Sequence, residues 1–145
     1  MVARRFEDLI VWQLAAKIQQ ETGAILDRPD VRRDGKFCEQ LRGSTRSAAA
    51  NIAEGFGRYS PREFIRYLRM ASGSLHETKN HLHEALNRGY VDAPTHERLV
   101  RLTLRALKAD WRLQAYLRHA TEPGQGSRGS QGSPGSQGSQ GSAGS

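Results

Sequence analysis

Five cations, Arg98, Arg101, Arg105, Lys108 and Arg112, recur at intervals of three and four residues. On a helix that spacing projects all five side chains from one face. A continuous cationic row of this kind neutralises phosphates and releases their counterions. The same row also fits an ordinary solvated face, neutralised by carboxylates of a neighbouring helix. Counterparts on the segment itself are few, Glu97 and Asp110. Arg62, Arg66 and Arg69 form a smaller cluster of the same kind. No aromatic reading surface and no known reader motif accompanies these cations, so the expected chemistry is phosphate contact and not base recognition.

Other constellations carry less. Glu77, His81 and Glu84 share one helix edge at i, i+4 and i+7, and a metal there needs ligands from elsewhere that the sequence does not supply. His76 and His83 stand too far apart for one small ion. A hydrated polar face is the expectation, with no metal site and no cofactor. Gly55-Phe56-Gly57 followed by Ser60 reads as close packing, since no strand precedes it as a dinucleotide fingerprint requires. Asn51 and Glu54 sit in the same crowded corner, where they cap backbone groups or pair with Arg58. Cys38, the only cysteine, reads as a semi-buried structural thiol without a histidine partner. A lone cysteine forms no intramolecular disulfide, which fits a reducing cytosol. No serine lies in a nucleophile elbow. The expectation is a protein without catalytic residues, not an enzyme.

The elements that must position these residues are helical. The first helix is expected from about Glu7 to Leu26, with Val11, Ala15, Ile18, Thr22 and Ile25 on a heptad seam. A polar loop follows over Asp30 to Gly35. The second helix starts near Lys36 and reaches Gly55 or beyond, kept thin by Gly43, Ser44, Ser47, Ala49 and Ala50. Ser60, Pro61 and Glu63 spell a capping box that opens the third helix, Pro61 to Arg88, which Gly89 ends at its C′ position. The fourth helix runs from Pro94 or Thr95 to about His119. From Pro123 onward Gly, Ser and Gln dominate with no large apolar residue, which predicts a flexible tail. The domains expected are therefore a helical domain over 1–122 and a disordered low-complexity tail over 123–145. The fold class expected is all-α, an antiparallel up-and-down four-helix bundle.

The fourth helix has more to bury than one bundle core provides. Leu99, Leu102, Ala106, Ala109, Leu113 and Tyr116 form one seam. Val100, Leu104, Leu107 and Trp111 form a second, about 150° away at 100° per residue. Thr103, Asp110 and Gln114 separate them on one side and the cationic row on the other. An exposed second stripe is a sticky patch, so it predicts a homo-oligomer with Val100, Leu104, Leu107 and Trp111 at the subunit contact. The alternative is that the stripe packs inside the monomer. The net charge of +7 over 145 residues favours polyanionic partners. No apolar run approaches a membrane span, and the N-terminal residues lack a signal-peptide core.

Phe6-Glu7-Asp8-Leu9-Ile10-Val11-Trp12-Gln13 resembles the N-terminal signature of the 23S rRNA intervening-sequence proteins. Asn51-Ile52-Ala53-Glu54-Gly55-Phe56-Gly57-Arg58, Ser60, Glu63-Phe64, Ala71-Ser72-Gly73-Ser74-Leu75 and Gly89-Tyr90 resemble the rest of that family's pattern. The resemblance covers roughly Phe6 to Leu117. Ala48-Ala49-Ala50 depart from the family's Ser-Ile-Pro-Ala-like run, which bears on a local bend in the second helix. What the resemblance implies is an all-α bundle protein that assembles into ring-like homopentamers in bacterial cytoplasm. Relatives include basic pentamers that bind nucleic acid and a reverse transcriptase. It implies no enzymatic activity. Together the residues and the resemblance predict an oligomer contacting RNA or DNA through basic helix faces; the alternative is a protein–protein interaction adaptor without nucleic-acid binding.

Overall fold

The protein's structure, a computed structural model, describes residues 3–121 and is all-α, with no strand among the described residues. The tail expected over 123–145 lies outside the described residues. Four long helices carry the fold: α1 (Ile10–Leu26), α3 (Gly35–Phe56), α4 (Pro61–Asn87) and α5 (Ala93–Thr121), with α2 a single turn at Pro29–Arg32. Helix α1 packs on α3 and α5, and α4 packs on α3 and α5. Among the described residues, no helix is long and apolar enough to cross a membrane.

Local chemistry sets most boundaries. The first helix does not begin at Glu7 as expected. Phe6–Asp8 form a 3-10 turn, and Leu9 is extended before α1 starts at Ile10. Asp8 holds that turn by accepting from the Arg4 and Arg5 amides, and the Phe6 ring meets Trp12 edge-on at 5.2 Å. The expected polar loop at Asp30 contains α2 instead. Val31 is fully buried there beside Leu26, Phe37, Leu41 and Val91, so one apolar residue draws the loop into a turn of helix.

Asp34 caps α3 by accepting from the Phe37 amide. Ser60 caps α4 by accepting from the Glu63 amide at 3.4 Å. The reciprocal half of the expected capping box is not made, because the Glu63 carboxylate binds Arg66. Helix α4 ends as the sequence indicates: Gly89 has φ of +74°, and the Tyr90 and Gly89 amides donate to the carbonyls of Ala85 and Leu86. That is a Schellman closure, which needs a residue at ease in the left-handed region.

The α3–α4 seam is the closest in the molecule's design. A Cβ built on Gly55 lies 2.7 Å from the Tyr67 Cβ and 3.0 Å from a Phe64 ring carbon. Gly57 does not share this demand, since its added Cβ meets only ordinary contacts. Further along, Ser74 and Ser47 hydroxyls bond at 2.8 Å and Thr78 donates to Ser44 at 2.9 Å. Helix α3 runs unbroken through Ala48-Ala49-Ala50.

Helix α5 is rolled differently from the expected seam. Leu99, Leu102 and Ala106 are buried, but so are Thr103, Asp110 and Gln114, while Tyr116 is 68% exposed. The buried arc is centred between the two apolar stripes, so each stripe lends one edge to a neighbour. The polar side chains between them are carried inside. Thr103 bonds the Leu99 carbonyl, and Gln114 donates to Asp110 Oδ1 at 2.6 Å. Asp110 Oδ2 is buried without a hydrogen-bond partner among the described residues. Burial raises the Asp110 carboxyl to about 6, against the weaker opposing pull of the Gln114 hydrogen bond.

Two predictions follow the packing. Gly55→Ala forces Tyr67 to shift and destabilises by about 1–3 kcal/mol, whereas Gly73→Ala, whose Cβ meets nothing within 4 Å, stabilises by up to about 1 kcal/mol. Urea unfolding measures both; equal effects at the two sites contradict the close approach. Because the Asp110 carboxyl lies near 6 when folded and near ~3.9 when unfolded, the folded chain holds its proton more tightly. The resulting stabilisation is present below pH ~4 and lost as pH rises through about 6. Asp110→Leu should therefore gain on the parent by about 3 kcal/mol between pH 4 and pH 7. A stability difference that stays flat with pH contradicts this.

Candidate nucleic-acid interface

The cationic row of α5 faces α1, and its five members are not equivalent. Arg98 donates to Glu21 of α1 at 2.6 Å, and Arg101 pairs with Glu97 one turn earlier at 2.9 Å. The second pair is about 70% exposed on both sides and so adds little stability. Neutralisation by a neighbouring helix thus describes Arg98, while Arg101 is paired within α5 itself. Arg105, Lys108 and Arg112 have no carboxylate partner among the described residues.

These three line a groove of about 1340 Å³ between α5 and the N-terminal segment. Leu9, Val11, Leu14, Ala109 and Leu113 supply an apolar lining, and Arg4 adds a fourth cation. Asp8 also lies there, but it already accepts from two backbone amides. An apolar trough with cations along it suits a polyanion's backbone or an acidic, partly apolar partner. The sequence pattern did not mark Arg4, because it precedes the helix and reaches the row only through the fold.

The second cluster divides as well. Arg66 donates to Glu63 at 3.0 Å and lies over the Tyr67 ring at 4.7 Å, so it is engaged within the chain. Arg62 and Arg69 are exposed, without ion-pair partners among the described residues. Among the described residues, no hydrogen bond or ion pair joins this cluster to the α5 row. A further recess of about 670 Å³ along α3 brings Arg32, Arg42 and Arg46 near Asp27 and Glu39.

The apolar row expected at a subunit contact is split in the same way. Leu104 is 46% and Trp111 62% exposed. Val100 and Leu107 are half-buried, with Leu107 packed against the core. The row is neither wholly outside nor tucked into the interior.

The remaining candidates fall into structural roles. Glu54 pairs with Arg58 at 2.7 Å, and Asn51 donates to the Ser47 carbonyl. Cys38 is buried, its thiol against the Val31 carbonyl. His81 Nδ1 stands 3.9 Å from Glu84, while Glu77 is exposed. Among the described residues, no three His, Cys, Asp or Glu side chains gather as metal ligands would. His83 Nδ1 and His96 Nε2 meet at 2.8 Å across the α4–α5 connection, a pairing that spacing in the sequence does not reveal.

No curated protein matched the chain in sequence comparison. The family model of the 23S rRNA-intervening sequence protein matches residues 7–108, which runs from within the Phe6–Asp8 turn through α1 to α4 and the half of α5 that carries Arg98 to Lys108. With that match over most of its length, the chain belongs to the 23S rRNA-intervening sequence protein family.

Proposed function

We propose that this chain is a non-enzymatic, homo-oligomeric protein that contacts RNA or DNA phosphates through basic helix faces. The four long helices are read as an antiparallel up-and-down bundle within a domain spanning 1–122, with the low-complexity stretch 123–145 outside it. The observation that carries the reading is the run of Arg105, Lys108 and Arg112, which no carboxylate of the described chain neutralises, along a groove that Arg4 also lines. Cations without an intrachain carboxylate are available to neutralise phosphates, and release of the counterions condensed on the nucleic acid drives the binding. Charge and groove shape do the work, not base reading. The family description, which names an rRNA-intervening sequence protein and no enzymatic activity, agrees with this assignment.

The exposed Leu104 and Trp111 favour a protein contact beside the nucleic-acid one. We assign them, with Val100 and Leu107, to a subunit interface in the cytoplasmic oligomer, a ring of five by the family resemblance. The same row supports the second reading, an oligomeric adaptor for protein partners such as a reverse transcriptase, without nucleic-acid binding.

Filter binding across a salt series separates the two readings. Each phosphate contact contributes about −0.9 to the slope of log K on log[salt] for duplex DNA and about −0.7 for single strands. Replacing Arg105, Lys108 and Arg112 with Ala should flatten the slope by roughly 2–3. A parent protein that does not bind rules for the adaptor, and a variant whose slope matches the parent's removes Arg105, Lys108 and Arg112 from the phosphate contact. For the assembly, light scattering should give an oligomer mass for the parent and a smaller species for Leu104→Glu with Trp111→Glu. A monomeric parent defeats the interface assignment.

A further inference from the structure

Between α3 and α4 the chain turns through Gly57, Arg58, Tyr59 and Ser60. Tyr59 has φ of +56°, the one non-glycine residue in the left-handed region among the described residues. A side chain bearing a Cβ occupies that region at an energetic cost, and a bulky aromatic is a rare occupant. The neighbours fix the conformation from both sides. Arg58 is folded back on the bundle, donating to Glu54 and to the Tyr67 hydroxyl at 2.7 Å each. Ser60 is extended, as a residue before proline must be, and caps α4. Tyr59 is thereby turned out into water. It is 92% exposed, and among the described residues it has no hydrogen-bond partner and no ring contact.

Cations follow that ring closely in the chain. Arg62 stands three residues on, in the first turn of α4, and Arg69 lies on the same face about 10 Å further along the axis. Both are exposed and unpaired among the described residues. The nearby carboxylates of Glu54 and Glu63 are already occupied by Arg58 and Arg66. The α4 N-terminus adds partial positive charge at the same corner. What remains open is an exposed aromatic ring just before a helix face that carries two unpaired cations, and among the described residues no hydrogen bond or ring contact engages the ring.

Resting on the phosphate-contact reading, we propose that Tyr59 is a stacking platform for an unpaired nucleobase, with Arg62 and Arg69 binding the adjoining phosphates. The ligand class at this corner is single-stranded nucleic acid. Every base has a π-face, so such a platform is sequence-tolerant, and duplex bases are excluded because their faces are already stacked. The site is separate from the α5 groove, whose cations lie over no aromatic ring among the described residues.

Fluorescence anisotropy with a labelled oligo-dT and a labelled duplex of equal length tests the site in the full chain. Tyr59→Gly keeps the backbone, since glycine adopts this φ freely, and its urea midpoint should equal or exceed the parent's. It should weaken oligo-dT binding roughly 10-fold, within the range that stacked aromatics contribute, and leave duplex binding unchanged. Tyr59→Phe should bind oligo-dT like the parent, and Arg62→Ala with Arg69→Ala should flatten its salt slope. Unchanged oligo-dT affinity in Tyr59→Gly, equal losses on both probes, or a Phe variant as weak as Gly each overturn the stacking role while leaving the phosphate reading intact. A parent chain that binds neither probe overturns the phosphate reading and this site with it.

Discussion

The approach of α3 to α4 at Gly55 governs the geometry of the rest. With a Cβ at that position already 2.7 Å from the Tyr67 Cβ, the two backbones come together only because one helix presents no side chain. The approach continues upward through Ser47 with Ser74 and Ser44 with Thr78, hydroxyls that satisfy one another in the buried seam. Small residues alone would let helices slide; paired hydroxyls fix the register, because a shift leaves buried polar groups without partners. Tyr67 is pinned by this contact, and its hydroxyl in turn receives Arg58. The corner that carries Tyr59, Arg62 and the start of α4 is therefore set by a packing constraint one turn below it.

Helix α5 answers a different constraint. It has two apolar stripes on nearly opposite sides and only one core to enter. Burying either stripe fully exposes the other. The chain instead buries the arc between them, and Asp110 enters the core with one oxygen lacking a hydrogen-bond partner among the described residues. A compromise of this kind is costly in the isolated chain. It leaves Leu104 and Trp111 at the surface on one flank. On the other flank it turns Arg105, Lys108 and Arg112 toward the N-terminal segment, where Arg4 joins them. The cationic groove and the exposed apolar row are two consequences of one rotation.

The helices themselves were plain in the residue pattern, because periodicity, Ser60-Pro61 and Gly89 are local signals that act within a turn or two. The boundary at Leu9 and the turn at Val31 were less so. Each depends on what a single apolar residue meets across space. The α5 row was visible as five cations with Glu97 a local counterpart, yet Glu21 on α1 takes the first of them. Partner carboxylates on other helices have no fixed sequence offset, so which cations stay free is decided by the fold. Tyr59 carried no mark in the sequence beyond lying between Arg58 and Ser60. Only the positive φ and the open ring distinguish it.

What the sequence determined alone is the number of the long helices, the Ser60 cap and Gly89 end of α4, the glycine at the tight corner and the cationic spacing along α5. These rest on interactions between residues a few positions apart, whose geometry the helix fixes. The tertiary structure decided the roll of α5, the burial of Asp110, the division of each basic cluster into paired and unpaired members, and the exposure of Tyr59. Those depend on which side chains from distant segments fill the same volume, and a one-dimensional pattern with two near-equal apolar faces does not choose between them.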